Sequence, residues 1–383
     1  MIPRERIQAA FRHREPDRVP IFEQSMSSRV LSPLVGRPLT IGVGELRWRE
    51  ALALLEGPDA HAEFTERVLE DYAAVVTAFD FDMVSYPWRG PAATERIDEH
   101  TFRTVSHVSG NWHVYRYVPE WDLLDDMGSS LDQDGLAAVE REVVGRERVE
   151  AGREGDLYDE PDAIVAQLVA RFGADRAVAA GPGIAIPAHP AWWQAMAEAP
   201  DLVDRYLDCQ LASALRTIRT HVRQGVDVIW GGGDLAGTTG PFYSPAHFRR
   251  FLLPRLQKMT ALCRELGVPY VFRSDGWLWP IAEELFVRSG VDGYGEIDYQ
   301  AGMRLGELKA RFPHLTLWGN VDCAGVLVRG RPSEVREQAR ECIEQGAPGG
   351  GYVFGSSNAI HAGVPPANFA AMIEAAREFG RYR

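Results

Sequence analysis

The chain has 383 residues, of which 45% are hydrophobic, and its formal net charge is -13. Its length suits one α/β barrel, a domain that runs from about 200 to more than 400 residues. The acidic balance disfavours a nucleic-acid or anionic-membrane partner, because both need a positive face. The cysteines (Cys209, Cys263, Cys323 and Cys342) form no C-x-x-C pair, and the first residues lack an apolar signal core. We therefore expect a reduced, cytoplasmic protein.

Short apolar segments, each ending at a polar or glycine-rich corner, recur along the chain. They cover residues 19–22, 81–86, 177–180, 226–230, 270–272, 291–295, 315–318 and 352–354. Most are separated by stretches with helical apolar spacing. Repeated strand-then-helix order predicts a parallel sheet closed as a (β/α)8 TIM barrel over residues 1–383, because each parallel return needs a right-handed crossover. The eight corners then share one rim, where such barrels keep their active sites.

The interval between the second and third predicted strands, about ninety residues, is longer than one crossover helix needs. Within it, residues 102–105 and 112–117 flank Ser109-Gly110-Asn111, which predicts a β-hairpin. A helical stretch follows near residues 136–144. We interpret residues 89–176 as an excursion over the barrel mouth that contributes to a pocket wall. The alternative is a surface embellishment.

Acidic residues follow four of the predicted strands: Asp234, Asp275, Glu296 and Asp322. In a barrel these side chains converge on one rim. Crowded carboxylates raise one another's pKa, and Arg273, if it turns inward, lowers the pKa of the acid it touches. The rim can therefore hold an acid and a base together. We predict Asp275 and Glu296 as that pair and Asp234 as a further catalytic candidate; capping of the following helix is the alternative for each acid.

Aromatic residues near the strand ends suggest the size of the ligand, because flat walls suit aromatic or sugar-sized molecules. Four are predicted to line the ligand site: Tyr86, Trp88, Tyr243 and Trp277. Packing in the helix shell is the alternative. His361, three residues past Asn358, is a candidate proton donor over the cleft.

An ordered set of motifs resembles one enzyme superfamily. The set comprises Pro3-Arg4-Glu5-Arg6 with Glu15-Pro16-Asp17-Arg18-Val19-Pro20, Asp234-Leu235-Ala236-Gly237 followed by Ser244-Pro245 and Phe248, Gly319-Asn320-Val321-Asp322, and Pro365-Pro366-Ala367-Asn368. Together they resemble the uroporphyrinogen decarboxylase superfamily, which includes the corrinoid and coenzyme M methyltransferases. The resemblance spans the chain and implies a (β/α)8 barrel with a cleft at the carboxyl ends of its strands. It also implies a homodimer and a corrinoid protein as a candidate partner.

The corner residues depart from the decarboxylase branch. The resemblance implies an arginine-rich segment after the first strand, but here Ser27 and Leu31 stand at those positions and Arg29 remains. One arginine is a poor match to a substrate with many carboxylates. Asp82 resembles the family acid thought to bind pyrrole nitrogens, which makes it a catalytic candidate on the same rim. The family's histidine near the last strand is replaced by Asn358.

The corner residues also depart from the methyltransferase branch, which binds zinc through a His-x-Cys after the fifth strand and a Cys after the last. Those positions read Arg273-Ser274-Asp275 and Asn358, so we expect no zinc held by cysteine. A harder cation held through Asp275 and Asn358 is an alternative to a pocket without metal.

Three functions fit these residues. The first is methyl or other one-carbon group transfer, or demethylation, of a small polar or aromatic substrate, assisted by Asp275 and Glu296. The second is decarboxylation of a porphyrinogen-like or smaller carboxylated substrate. In it, Asp82 stabilises a protonated intermediate and Arg29 or Arg273 holds a carboxylate. The third is a non-catalytic ligand-binding barrel.

Overall fold

The protein's computed structural model describes residues 1–85 and 89–382. The strands are β1 (Met83–Ser85), β2 (Glu95–Arg96), β3 (Thr101–Val105), β4 (Trp112–Val118), β5 (Leu123–Ser129), β6 (Ala177–Ala180), β7 (Val228–Gly232), β8 (Ala236–Gly237), β9 (Gly240–Pro241), β10 (Tyr270–Arg273), β11 (Gly293–Gly295), β12 (Thr316–Trp318) and β13 (Tyr352–Val353).

The α-helices are α1 (Pro3–Phe11), α2 (Ser28–Val35), α3 (Gly44–Glu56), α4 (Pro58–Phe79), α5 (Ser130–Asp134), α6 (Leu136–Ala151), α7 (Ala163–Phe172), α8 (Pro190–Glu198), α9 (Pro200–Gln224), α10 (Pro245–His247), α11 (Leu253–Leu266), α12 (Leu305–Arg311), α13 (Val326–Arg329), α14 (Pro332–Gly346) and α15 (Pro366–Phe379). Short 3₁₀ turns lie at Pro119–Trp121 and Trp279–Ile281, and π-helical turns at Phe248–Leu252 and Glu284–Arg288. None of the helices within residues 1–85 and 89–382 combines the length and apolar character needed to cross a lipid bilayer.

A curled parallel sheet forms the centre of the fold. Among the described residues, seven strands pair in the order β1-β6-β7-β10-β11-β12-β13. Residues 20–22 lie between the two outer strands of this sheet. The Phe354 amide donates to the Pro20 carbonyl at 2.8 Å, and the Asp82 amide donates to the Ile21 carbonyl at 2.9 Å. The result is an α/β fold of the TIM-barrel-like type.

The strands are short and almost entirely buried, as parallel strands covered by helices on their outer face are. Their inner side chains, including Val228, Trp230, Val271 and Trp318, form one apolar cluster with Ile7 and Ala10 of α1. Helix α1 therefore packs against the inner cluster, while the other helices cover the outside of the sheet.

Residues 95–129 form a second, antiparallel sheet in the order β2-β3-β4-β5. One face is apolar: Phe102, Tyr117 and Leu124 pack with Ala51 of α3. Asp122, just before β5, anchors the sheet to the segment around α2 and α3. Its carboxylate accepts from the Ser27 hydroxyl and from the Glu45 amide, both at 2.6 Å.

Three aspartates immediately precede strands of the parallel sheet: Asp82 before β1, Asp227 before β7 and Asp292 before β11. Each carboxylate accepts a backbone N–H from the neighbouring strand position. The donors are Ile21 at 2.7 Å, Val178 at 3.0 Å and Tyr270 at 2.9 Å, respectively. The repeated contact ties adjacent strands together at their amino ends.

Asp82 is therefore not on the rim with Asp275, and that prediction is wrong. The predicted strand covered residues 81–86, whereas β1 begins at Met83, so Asp82 precedes the strand. Its fully buried carboxylate forms ion pairs with Arg18 at 2.6 Å and Arg6 at 3.0 Å. This position does not fit the two roles inferred for Asp82, those of a catalytic acid and of a group that stabilises a protonated intermediate.

Candidate active site

A cavity of about 770 Å³ opens at the carboxyl ends of the parallel strands. Residues from several strand ends line it: Gln24, Asp234, Arg273, Asp275, Glu296 and Asn358. Its volume lies within the range of roughly 300–1,000 Å³ that is usual for small-molecule sites. The structure thus brings together five residues that the sequence predicts for the site, and adds Gln24.

Gln24 connects four other polar groups of the cavity. Its amide nitrogen donates to Glu296 Oε1 at 2.6 Å and to Asn358 Oδ1 at 3.3 Å. Its amide oxygen accepts from Arg273 Nη1 at 2.9 Å and from Trp230 Nε1 at 3.4 Å. One neutral side chain therefore fixes the positions of a cation and an anion at once.

Arg273, the last residue of β10, is held along the cavity wall. Its Nε donates to the Gly231 carbonyl at 3.2 Å, and its Nη1 lies 3.3 Å from Glu296 Oε1. A side chain at Gly232 would collide with the Arg273 backbone, since an added Cβ would lie 2.3 Å from its carbonyl oxygen. The glycine at the end of β7 is thus needed for the close approach of β10.

Glu296 reaches the cavity through an unusual backbone conformation. Its φ is 62°, in the left-handed region that non-glycine residues rarely adopt, and its side chain is largely buried. Such a conformation costs about 1 kcal/mol or more and persists where the surroundings enforce it. Here the carboxylate is tied to Gln24 and Arg273, which account for the enforced position.

Asp275 borders the cavity in an environment that favours its protonated form. Burial, followed by the charges of Glu296, Asp234 and Asp298, raises the pKa of Asp275 to about 6. Asn358 Nδ2 donates to its Oδ2 at 3.0 Å, which partly opposes the shift. A carboxyl group with this pKa is partly protonated near neutral pH and can give up a proton to a ligand.

Beneath these polar groups the floor of the cavity is aromatic. The Trp230 ring meets Phe22 edge-on, with centroids 5.2 Å apart, and lies 5.5 Å from the Trp318 ring. Behind the floor, Glu23 accepts from the amide and hydroxyl of Ser356 at 2.6 and 2.7 Å, and its burial raises the pKa of Glu23 to about 8. These hydrogen bonds join the end of segment 20–22 to the residues that follow β13, below the site.

Asp234 lines the cavity with an exposed side chain. Asp322 lies beyond β12, but its carboxylate accepts from the Ala324 and Gly325 amides at 3.1 and 2.9 Å. It therefore stabilises the turn before α13, which is the capping alternative considered for it.

Two predicted ligand-binding residues do not reach the cavity. Arg29 lies on the exposed side of α2 and donates to the Glu120 carbonyl at 3.3 Å. His361 accepts from the Gly363 amide through Nδ1 at 3.2 Å, so its Nε2 donates to the Cys323 carbonyl at 3.0 Å. Both side chains are used in local structure, which corrects the roles predicted for them.

The aromatic residues predicted to line the ligand site lie in different environments. Tyr243 is buried among apolar residues, and this burial raises the pKa of its hydroxyl. Trp277 is exposed beside Gly240, and neither ring borders the cavity described above. Tyr86 and Trp88 lie outside the described residues. Within residues 89–176, Arg89 and Asp162 border the cavity, whereas the described residues of the antiparallel sheet do not.

Within residues 1–85 and 89–382, no cluster of three His, Cys, Asp or Glu side chains could hold a metal ion. Asn358 presents a hydrogen-bond donor to Asp275, which satisfies the carboxylate in the absence of a cation. Asp275 and Asn358, the predicted cation ligands, are thus hydrogen-bonded to each other.

The chain matches the model of one known protein family. The model for uroporphyrinogen decarboxylase (URO-D) matches residues 185–379, just over half of the chain. The chain belongs to the URO-D family. The matched region includes the ends of β7, β10 and β11 and Asn358, and so most of the polar cavity wall.

Curated relatives of this family are similar over a limited stretch. Uroporphyrinogen decarboxylase from Thioalkalivibrio sulfidiphilus is 29% identical over 47% of this chain and 46% of its own length. The enzyme from Alkalilimnicola ehrlichii is 27% identical over 47% of each chain. The alignments thus span about half the length of these relatives.

A solved structure extends the likeness over the rest of the chain. A methyltransferase from Methanosarcina mazei matches with a TM-score of 0.65 and 18% identity, covering 99% of both chains. At this identity the match shows the fold, and not the reaction.

The importance of Gln24 is testable through stability. Gln24→Glu should lower the melting temperature more at pH 8 than at pH 5, because it places a second carboxylate against Glu296 with one arginine to serve both. Gln24→Met, which removes the hydrogen bonds without adding charge, should lower it equally at the two pH values. Thermal melts of both variants provide the measurement, and identical pH responses would contradict this reading of the network.

Proposed function

We propose that this protein transfers a methyl or other one-carbon group, or demethylates a small polar or aromatic substrate, with Asp275 as the proton donor. The observation that carries the proposal is the pair of unlike acids in one cavity. The pKa of Asp275 is raised to about 6, while Glu296 is ion-paired with Arg273. Two carboxyl groups held in such different surroundings within one cavity are typical of acid/base sites.

The chemistry assigned to these residues is modest. As the bond between the methyl carbon and its heteroatom breaks, the heteroatom keeps the bonding electrons and takes the proton of Asp275. The methyl group passes to a nucleophile, and Asp275 is left ionised until it is reprotonated. Glu296 and Gln24 hold the cavity's hydrogen-bonding pattern fixed while the charge on Asp275 changes.

The identity of the methyl acceptor is also proposed, and it rests on the family resemblance. A corrinoid presented by a partner protein would supply the nucleophile. Exposed rings beyond the strand ends fit such a flat group: Trp277, and the Trp193–Phe242 pair with centroids 6.1 Å apart. A homodimer, completion of a (β/α)8 barrel by residues 19–22, and a single domain over residues 1–383 are proposed on the same resemblance.

The charge of the cavity favours a substrate with few carboxylates. Among the described lining residues, four are acidic and two are arginines. Arg273 is paired with Glu296 and Arg89 with Glu50. A carboxylate moved from water into this site without its own cation would lose several kcal/mol.

Decarboxylation is the second candidate, and the identity to curated uroporphyrinogen decarboxylases favours it. In this version Arg273 would hold the departing carboxylate of a smaller substrate, and Asp275 would protonate the carbon that is left. Asp82 and Arg29 take no part in it, because neither borders the cavity.

A direct assay separates the two candidates. The purified protein would be incubated with trideuteromethyl-labelled aromatic methyl ethers and methylamines plus a reduced corrinoid, and with carboxyl-labelled aromatic acids. Mass spectrometry would follow loss of the labelled methyl group, and trapping would follow labelled CO₂. Methyl loss that depends on Asp275 supports the proposal; CO₂ release without methyl loss supports the decarboxylase instead.

We also expect no efficient turnover of uroporphyrinogen, because the described cavity lacks the several free guanidinium groups needed for its carboxylates. The rate should remain far below about 1 s⁻¹, an ordinary enzymatic value. The assay is chromatography of the oxidised porphyrins, with a uroporphyrinogen decarboxylase as positive control. Turnover at the rate of that control would contradict the expectation.

A further inference from the structure

The cavity has a second polar region, on the side of β1 and β6. We call it the His221 end; it is formed by Ser85, Arg89, Asp162, Thr217 and His221. β1 and β6 lie three and two strands along the sheet from β10, which carries Arg273. The acid/base chemistry assigned to Asp275 does not use it.

His221, on α9, is the unusual member of this group. It is 7% exposed, and its buried Nδ1 has no hydrogen-bond partner among residues 1–85 and 89–382. Burial lowers the pKa of His221 despite the opposing charges of Asp162 and Asp159, so the ring is neutral at physiological pH. A neutral imidazole has one donor and one acceptor, and buried polar groups of this kind are normally satisfied.

Arg89 borders this end of the cavity, and part of its guanidinium is held by residues behind the wall. Its Nε donates to Glu50, and its Nη2 donates to the Thr65 hydroxyl at 3.3 Å. Glu50 also accepts from the Gly90 amide at 2.7 Å. The positive charge of Arg89 is therefore balanced from behind by a buried carboxylate.

Thr217 and Asp162 supply acceptors. The Thr217 hydroxyl donates to Asp159 Oδ2 at 2.6 Å, so its oxygen has lone pairs left to offer. Asp162 caps α7, where its Oδ1 accepts from the Ile164 and Val165 amides at 2.9 and 3.0 Å. Its negative charge is thus partly balanced by the helix amino terminus.

The combination discriminates between ligand charges. A carboxylate has acceptors alone and would meet the oxygens of Asp162 and Thr217. An ammonium group has donors alone and would meet the guanidinium of Arg89. A group that both donates and accepts hydrogen bonds can donate to Asp162 or Thr217 and accept from Arg89.

We propose that the His221 end is a substrate subsite for a neutral group that both donates and accepts hydrogen bonds, namely a hydroxyl or a primary amide. The proposal rests on the proposed function in one respect, that this cavity binds the substrate. It adds the substrate class: a molecule with a transferable group at Asp275 and a hydroxyl or amide at its other end.

The test compares four probes that share a ring: benzyl alcohol, benzamide, benzoate and benzylamine. Titration calorimetry at neutral pH should give the two neutral probes dissociation constants about tenfold or more below those of the charged probes. In ¹⁵N-histidine-labelled protein, benzamide should shift the ring resonances of His221.

Two variants link the preference to His221. His221→Phe should abolish the preference and raise the melting temperature, because it removes an unsatisfied buried nitrogen while filling a similar volume. His221→Gln, which keeps a donor and an acceptor, should retain the preference. The labelled wild-type protein supports or contradicts the proposal even if a variant does not fold.

Several results would overturn the subsite: equal binding of all four probes, tightest binding of benzoate or benzylamine, no binding of any probe, or a preference that survives His221→Phe. These measurements use no turnover. Selective probe binding combined with a reaction that ignores Asp275 would overturn the proposed function and leave the subsite standing.

Discussion

Asp275→Asn is expected to lower kcat/KM by about 10²- to 10⁴-fold, the usual contribution of a positioned proton donor. The wild-type rate should be highest below about pH 6 and fall above it, because the protonated form of Asp275 is the active one and its pKa is about 6. The residual rate of the variant should lose this pH dependence. A variant with near-normal turnover would show that the acid is structural.

The neighbouring acids give two graded comparisons. Glu296 and then Asp234 are the charges that most raise the pKa of Asp275, after burial. Asp234→Asn should therefore shift the pH–rate profile slightly to lower pH. Glu296→Gln should shift it further and also remove most activity, since Glu296 is tied to Arg273 and Gln24. The Asp275→Asn, Glu296→Gln double variant should be little worse than either single one, because the groups act as a unit.

Stability should respond to Asp275 with the same preference for low pH. The pKa of Asp275 in the folded chain is above its ordinary value, so between about pH 4 and pH 6 the folded state holds more protons than the unfolded state. Folding stability therefore decreases across that window. Asp275→Asn removes the penalty, so it should raise the melting temperature at pH 8 and leave it nearly unchanged at pH 4. Thermal melts need no substrate, which separates this result from the kinetic one.

The sequence predicts the parallel strands well because buried parallel strands are continuous apolar runs between polar corners. The segment 177–180 coincides with β6, and 270–272 differs from β10 by its last residue, Arg273. Topology brings three of the four acids that follow these strands to one cavity, whereas Asp322 accepts hydrogen bonds from the turn before α13. Asp234, Asp275 and Glu296 needed no further information.

The errors have physical reasons. Asp82 sits inside an apolar run, and a three-residue strand gives no sign of which end a buried polar residue occupies. Gln24 is neutral, and its partners lie far along the chain, Glu296 being 272 residues away. Its one signal was its place just after the first apolar segment. His361 follows the last strand closely, but its ring accepts a hydrogen bond from the Gly363 amide in the turn that follows.

Asp82→Asn should destabilise the protein strongly, by about 3–5 kcal/mol, the usual result of removing one partner from a buried ion pair. The amide can still accept the Ile21 N–H, so the loss reports the ion pairs with Arg6 and Arg18. Arg6 and Arg18 would lose their buried partner and keep only the exposed carboxylates of Asp17 and Asp80. Chemical denaturation of the variant against wild type measures the difference.

Asp292→Asn is the matched control. Asp292 occupies the equivalent place before β11 and accepts the Tyr270 N–H at 2.9 Å, as Asp82 accepts that of Ile21. Burial raises the pKa of both Asp82 and Asp292, but the Asp292 carboxylate has no ion pair within 4 Å among the described residues. An amide in its place should cost less than about 1 kcal/mol, because the hydrogen bond is kept and no cation is stranded.

Activity provides the second half of this test. The folded fraction of Asp82→Asn should keep the wild-type pH–rate profile, because the residue lies at the end of the strands opposite Asp275. A stable Asp82→Asn variant with an altered profile would return Asp82 to the chemistry. A loss of stability with an unaltered pH–rate profile would mean that Asp82 has a structural role. Through Arg6 it holds α1 to the sheet, and through Arg18 it holds the segment before residues 20–22, whereas catalysis takes place at the opposite ends of the strands.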